Sequence, residues 1–146
     1  MLDIANEMMV DFYSNEVEMK PGAFEFLEHL KSNGTRMVIA SATSPDLINL
    51  ALKHCEIEHY FERLFSCADI GKGKDEPDVF LAALEYLGND LSETWVFEDS
   101  AVAIETAVKA GFNTVAIYDK NNFGQDLMKK IATHYIAEGQ GLDSLI

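Results

Sequence analysis

Residues 94–111, TWVFEDSAVAIETAVKAG, constrain the fold more than any other part of this 146-residue chain. The apolar run at residues 95–97 is typical of a strand that is buried on both faces. It ends on two adjacent carboxylates, Glu98 and Asp99, after which Ser100 can cap a helix. A strand that ends on polar groups and turns into a helix is typical of an open α/β sheet, in which ligands bind at the carboxyl ends of the strands. The sequence therefore predicts an α/β fold with a candidate site at the two carboxylates.

Strand-like and helix-like segments alternate along the rest of the chain. Short apolar runs are followed by segments with the spacing of an amphipathic helix. The predicted strands are residues 37–40, a short strand within 61–67, 94–97, 114–118 and 135–137, and the predicted helices are residues 3–12, 21–31, 45–54, 77–87, 101–111 and 125–131. This alternation predicts a doubly wound, mostly parallel sheet with helices on both faces.

The composition of the chain limits the classes of partner that it can bind. Eleven basic residues against 25 acidic ones give a formal net charge of −14, whereas nucleic-acid binding requires a basic surface. No apolar stretch approaches the roughly 18 residues of a membrane span, and no cationic, apolar leader opens the chain. Cys55 and Cys67 have neither CxxC nor Cys/His spacing, which favours reduced thiols. We therefore expect a cytoplasmic protein without nucleic-acid or membrane partners.

Polar side chains follow three of the predicted strands. Ser41 and Thr43 come after the strand at 37–40, Lys72 and Lys74 lie in the Gly-rich loop after the next strand, and the Glu98-Asp99 pair ends the third. Because the carboxyl ends of parallel strands share one edge, we expect these groups to converge. A hydroxyl, an ammonium group and two carboxylates at one edge are the groups that a phosphoryl-transfer site uses.

Each of these groups also has a purely structural interpretation. Two carboxylates at a strand mouth suit Mg²⁺, a hard cation that takes one or two carboxylates with water and phosphate oxygens. A Glu-Asp pair in that place can equally be a solvated turn beside a helix N-terminus. Ser44 before Pro45 is an ordinary helix cap, and a lysine in a Gly-rich loop is usually solvated. Only the convergence of the three strand ends favours a site.

The order and spacing of these segments resemble the haloacid dehalogenase-like hydrolases, and within them the small phosphatases and sugar-phosphate mutases with a helical cap. VIASATS looks like the second motif of that family, GKGKDEPDVFLAAL like the third and VFEDSAVAIETAVKAG like the fourth. The resemblance implies a Rossmann-like core and Mg²⁺ as the cofactor. It also implies catalytic roles for Ser41 and Lys74, phosphate binding by Ser41, Ala42, Thr43 and Lys74, and metal binding by Asp99, with Glu98 as a second or water-mediated ligand.

The first motif of the family, an Asp-x-Asp that follows an N-terminal strand and supplies the nucleophile, has no counterpart in this sequence. The resemblance implies that residues 1–18 are a remnant of the helical cap and that residues 19–146 are the core domain without its first strand. That strand would lie between those at Val38 and Val96, so its absence would leave unpaired backbone edges. Asp119 also ends an apolar strand, but it matches a later strand of the family and is a weak candidate for the nucleophile.

Three interpretations of function follow. The first is the C-terminal core of a Mg²⁺-dependent phosphatase of small phosphorylated metabolites, inactive alone, with a sugar-phosphate mutase of the same family as the alternative. The second is a catalytically silent binding or regulatory module. In either case an N-terminal fragment or a second copy can complete the sheet. The third, a response-regulator receiver domain, has its acidic pair before the hydroxyl and the lysine, which is the reverse of the order here.

Overall fold

The computed structural model describes residues 4–5 and 22–146, in which strands and helices alternate. The strands are β1 (Ile4–Ala5), β2 (Ile39–Ser41), β3 (Leu64–Ser66), β4 (Trp95–Glu98), β5 (Asn113–Ile117) and β6 (His134–Ile136). The helices are α1 (Ala23–Ser32), α2 (Pro45–His54), α3 (Cys67–Ile70), α4 (Asp78–Leu87), α5 (Ala101–Lys109) and α6 (Gln125–Ile131). Short 3₁₀ helices lie at Glu58–Tyr60, Leu91–Glu93 and Leu142–Leu145.

All the paired strands run parallel. Strands β1, β4, β5 and β6 are hydrogen-bonded in that order, β2 pairs with β3, and β1 also lies beside β2. In register, Phe97 of β4 is opposite Val115 of β5, and Ser41 of β2 is opposite Ser66 of β3. The predicted doubly wound α/β fold is therefore confirmed, and the carboxyl ends of β2, β3, β4 and β5 lie along one edge.

The alternation of side chains along the strands divides the core into two layers. In β4, Phe97 packs with Phe26 and Leu27 of α1 on one face of the sheet. Its neighbour Val96 packs with Phe80 of α4 on the other face. Helices therefore cover both faces, as expected for strands that are apolar at every position.

The helices begin and end where local chemistry predicts. Helices α2 and α6 have the predicted bounds, and the predicted bounds of α1, α4 and α5 differ from the observed ones by one or two residues at one or both ends. Pro45 begins α2, where its missing N–H costs nothing, and the Ser100 hydroxyl accepts a hydrogen bond from the Ala103 N–H at 3.5 Å at the start of α5. No helix in residues 22–146 is long and apolar enough to cross a membrane.

The predictions for two segments were wrong. The loop expected after β3 begins with the short helix α3, because the Ser66 hydroxyl caps it by accepting the Ala68 N–H at 3.1 Å. At the N-terminus, Ile4–Ala5 forms a strand rather than part of a helix over residues 3–12, and it pairs with Val96 and Phe97. Hydrogen bonding to the otherwise exposed edge of β4 outweighs the local helical spacing.

Strand β1 lies where the sheet was expected to lack a strand. Two residues of this chain therefore supply part of the pairing that the edge of β4 requires. The remainder of the predicted N-terminal helix lies outside the described residues. The division into a cap remnant at residues 1–18 and a core at residues 19–146 stays a prediction.

Candidate active site

Ser41 is the last residue of β2, and its side chain is fully buried at the carboxyl edge of the sheet. Its Oγ accepts a hydrogen bond from the Thr43 N–H at 3.0 Å. One lone pair of the hydroxyl is thereby used, while the O–H can rotate to donate to an acceptor. The next residue, Ala42, is exposed. Ser44 is the N-cap residue of α2, as expected, but its side chain makes no capping hydrogen bond.

Glu98 and Asp99 lie at the carboxyl end of β4 and are both buried, at 0% and 2% exposure. Adjacent carboxylates at that depth are rare in proteins unless they are paired with other groups, because desolvation disfavours the charge. The interpretation of this pair as a solvated turn is therefore excluded by the structure.

Lys74 forms a buried ion pair with Glu98. The Lys74 Nζ lies 2.7 Å from Glu98 Oε2, and the two side chains are 9% and 0% exposed. The other carboxylate oxygen, Oε1, accepts the Asp99 N–H at 3.1 Å. Glu98 therefore contacts both the ammonium group of Lys74 and the main chain of Asp99. By contrast, Lys72, two residues earlier in the same loop, is exposed.

The structure brings together some of the predicted site residues but not all. Lys74, Glu98 and Asp99 form one contiguous group at the end of β4. Ser41 ends β2, and β1 lies between β2 and β4, so one strand separates the end of β2 from this group. Ser41 and the Lys74–Glu98–Asp99 group therefore lie at strand ends on the two sides of β1.

The carboxylates at the end of β4 are donors of the type that binds magnesium. Mg²⁺ is commonly bound by one or two carboxylates, with water and phosphate oxygens completing its shell. Asp99 and Glu98 both offer carboxylate oxygens, and each oxygen of Glu98 also accepts one hydrogen bond, from Lys74 or from the Asp99 amide. In the described part of the chain, no three His, Cys, Asp or Glu side chains cluster as a metal site. A carboxylate oxygen can take more than one contact, so these hydrogen bonds are compatible with ligation by Glu98, either directly or through water.

A loop that sequence reasoning missed is attached to the end of β4. Asn122 Nδ2 donates to the main-chain oxygen of Asp99 at 2.9 Å. Gln125 Nε2 donates to the main-chain oxygens of Asp119 and Asn122 at 3.1 and 3.2 Å, and the Asp119 Oδ1 accepts the Asn121 N–H at 2.8 Å. The carboxylate of Asp119 thus organises this turn. The only sequence signal for these contacts is the turn-forming run Asp-Lys-Asn-Asn-Phe-Gly.

Comparisons with known proteins agree with this architecture. A family model described as a haloacid dehalogenase-like hydrolase matches residues 3–111. The phosphorylated carbohydrates phosphatase of Thermotoga maritima is 28% identical over 118 residues, covering 80% of this chain and 55% of that protein. The chain thus spans about half the length of the curated relatives it matches.

Two solved structures share the fold. A candidate β-phosphoglucomutase from Thermotoga maritima has a TM-score of 0.74 at 28% identity, over 86% of this chain and 58% of that one. The candidate HAD-hydrolase YfnB from Bacillus subtilis, solved bound to magnesium, has a TM-score of 0.70 at 23% identity, over 85% and 52%. The family model covers well over half of the sequence, and the parallel sheet matches these structures. The chain belongs to the haloacid dehalogenase-like hydrolases.

Proposed function

We propose that this chain forms the phosphate-binding and Mg²⁺-binding core of a phosphatase that acts on small phosphorylated metabolites. The observation that carries the proposal is the buried Lys74–Glu98 ion pair, which adjoins the buried carboxylate of Asp99. Burying such a pair carries a large desolvation cost, so its presence is weak evidence that it stabilises the fold. A fixed ammonium group beside a carboxylate, at the edge where α/β sheets bind ligands, suits a bound phosphate and its cation.

Each residue has a distinct part in this proposal. The Ser41 hydroxyl, which already accepts the Thr43 N–H, donates its own hydrogen to a phosphoryl oxygen. Lys74 neutralises charge on the phosphoryl group, and Glu98 holds the lysine in position. Thr43 supports the orientation of Ser41, and the main chain at Ala42 adjoins the same phosphate. Fixed donors of this kind stabilise developing charge without reorganising during the reaction.

Asp99 would hold the magnesium ion. The ion would supply charge stabilisation at the phosphoryl oxygens. Two findings support this part of the proposal: Asp99 is a buried carboxylate at the edge of the sheet, and a structural neighbour was solved with magnesium. With few protein ligands in reach, we expect an affinity of about millimolar or weaker.

The nucleophile is the component that the sequence does not contain. No Asp-x-Asp occurs in the 146 residues, and the residues that follow β1 in the sequence are Asn6 and Glu7. We infer that turnover requires an Asp-x-Asp strand from an N-terminal fragment or another copy. The residues present here bind and neutralise phosphate but cannot form an acyl-phosphate.

The class of substrate rests on charge and on relatives. A net charge of −14 repels polyanions, so only a small phosphate ester neutralised locally by a lysine and a cation suits this site. The Thermotoga maritima relative is a phosphatase of phosphorylated carbohydrates, which favours the same reaction here. The structural neighbour described as a candidate β-phosphoglucomutase favours a second candidate, a sugar-phosphate mutase.

NMR titration of the full chain with inorganic phosphate, with and without Mg²⁺, tests the binding site. We expect phosphate to bind, Ser41→Ala to weaken it, and Asp99→Asn to abolish its dependence on Mg²⁺. Ser66→Ala is a matched control, because Ser66 is buried opposite Ser41 and its hydroxyl likewise accepts a main-chain N–H. Mg²⁺-dependent binding that Asp99→Asn leaves unchanged would contradict the assignment.

Hydrolysis assays test the proposal for the nucleophile. We expect no release of phosphate from acetyl phosphate or p-nitrophenyl phosphate above buffer by this chain. Addition of an upstream segment that ends in Asp-x-Asp should restore hydrolysis. Activity of the 146-residue chain that disappears in Asp119→Asn would instead identify Asp119 as the nucleophile.

A further inference from the structure

Residues 118–124, which we call the β5–α6 loop, are attached to the chain that follows β4. Asn122 Nδ2 donates to the Asp99 main-chain oxygen at 2.9 Å. At Gly124, φ is +80°, and a Cβ there would lie 2.6 Å from the Ala101 side chain. The loop therefore approaches the Ala101 side chain at the start of α5 so closely that glycine is required at that point.

Between these two attachment points the loop exposes an aromatic ring. Phe123 is 93% exposed, the highest value among the large hydrophobic side chains of the described residues. Scattered exposed apolar residues are ordinary in soluble proteins. Phe123 differs from them because both of its sequence neighbours are fixed to the segment that carries Asp99.

Hydrogen bonds made by Tyr135 and Gln125 also support the loop. The Tyr135 hydroxyl donates to Gln125 Oε1 at 2.7 Å, and Gln125 Nε2 donates to the main chain of Asp119 and Asn122. A rigid scaffold that presents a loop side chain at the ligand-binding edge is the usual arrangement of specificity residues. The structure thus maintains an exposed ring within two residues of contacts to Asp99 and Ala101.

We propose that Phe123 is a specificity-determining residue, whose ring contacts an aromatic or apolar organic group of the phosphate ester bound at Ser41, Lys74 and Asp99. The inference rests on the proposed function and narrows its substrate class. A phosphate held at the end of β4 would lie beside Asp99, whose main-chain oxygen is hydrogen-bonded to Asn122, the residue before Phe123. A ring with nearly all of its surface in water gains most from contact with a partner of that kind.

The test compares two ligands that share a phosphate but differ in the organic group. NMR titrations of the full chain with Mg²⁺ give the Kd of phenyl phosphate and that of inorganic phosphate. The variants are Phe123→Ala and the conservative Phe123→Tyr. The matched control is Phe24→Ala, because Phe24 is likewise an exposed phenylalanine, at 48% exposure, but lies on α1.

We expect the wild-type chain to bind phenyl phosphate about three- to tenfold more tightly than inorganic phosphate. Phe123→Ala should remove this preference without changing the Kd of inorganic phosphate, and Phe123→Tyr and Phe24→Ala should retain it. An unchanged ratio in Phe123→Ala, with phosphate still bound, would overturn this inference alone. Failure of inorganic phosphate to bind the wild-type chain would overturn the proposed function and this inference with it.

Discussion

Two ion pairs of similar length differ in how far their side chains are exposed to water. Lys74 and Glu98 approach to 2.7 Å with side chains 9% and 0% exposed. Arg36 and Glu62 approach to 2.9 Å with side chains 42% and 36% exposed. The distance between the charged groups therefore does not distinguish the two pairs, whereas the exposure of their side chains to water does.

The surface pair joins segments of the scaffold. The Arg36 guanidinium donates two hydrogen bonds to Glu62, each at 2.9 Å, and a third to the main-chain oxygen of Leu87 at 2.7 Å. These contacts connect the chain before β2 to the chain before β3 and to the end of α4. Water screens both charges, so such a pair contributes little net stability.

The buried pair stands at the carboxyl edge of the sheet, where it joins the loop after α3 to the end of β4. Its desolvation cost is large, and apolar residues of similar volume are often no less stable than such a pair. On this ground we propose that the buried pair serves the site, whereas the surface pair serves the fold. If so, removal of one charge should cost far more stability at the buried pair than at the surface pair.

Removal of the buried cation should have the largest effect on stability. In Lys74→Met, Glu98 stays fully buried beside Asp99 without its ammonium partner. We expect a loss of about 3–5 kcal/mol in the free energy of unfolding, as is found when one partner of a buried pair is removed. Urea unfolding at neutral pH measures it. A loss no larger than that of Glu62→Gln would show that the two pairs are equivalent.

Removal of both charges should restore part of that loss. In Lys74→Met with Glu98→Gln, the amide oxygen can still accept the Asp99 N–H, and no uncompensated charge stays buried at residue 98. We expect the double variant to be about 1–3 kcal/mol more stable than Lys74→Met. Phosphate binding should stay lost, since the ammonium group is gone. A double variant as unstable as the single one would mean that Lys74 acts mainly by packing.

The contrast between the pairs also shows what the sequence can and cannot predict. Glu98 and Asp99 are adjacent in sequence and follow an apolar run, so their place at a strand end is a local property. Lys74 and Glu98 are 24 residues apart, and their contact depends on how β3 and β4 are placed in the sheet. The sequence could predict that these strand ends share one edge of the sheet. It could not predict that Glu98 forms an ion pair with Lys74.

In the secondary structure too, local features were predictable from the sequence and long-range contacts were not. Helix α2 was predictable in full, because Pro45 at its start and apolar spacing along its length act locally. Strand β1 was not, since only the neighbouring edge of β4 makes a strand of Ile4–Ala5. The contact of Asn122 with the Asp99 main chain spans 23 residues and has no periodic signal. The roles of Ser41 and Lys74 in phosphate binding stay predictions.

Loss of an uncharged hydrogen bond at the end of β4 should have an effect on stability that lies between the effects at the two ion pairs. Asn122→Ala removes the hydrogen bond to the main-chain oxygen of Asp99. We expect a loss of about 0.5–1.5 kcal/mol in the free energy of unfolding, the usual net contribution of one hydrogen bond. Asn121→Ala, at the adjacent exposed position, is the control and should be close to neutral. Equal losses in the two variants would show that the contact with Asp99 does not stabilise the loop.

The smallest effect should come from the surface pair, and it should depend on pH. The hydrogen bonds from Arg36 are the largest cause that holds the pKa of Glu62 below its ordinary value of 4.5. A lowered carboxyl pKa stabilises the fold at neutral pH, and this contribution is lost as the pH falls through the folded-state pKa. Glu62→Gln should therefore cost about 0–1 kcal/mol near pH 7, and progressively less as the pH falls below 4.5 or as salt is added. Urea unfolding of both proteins under these conditions measures the difference. A difference that persists at low pH would mean that the Arg36 contacts stabilise the fold by packing rather than by charge.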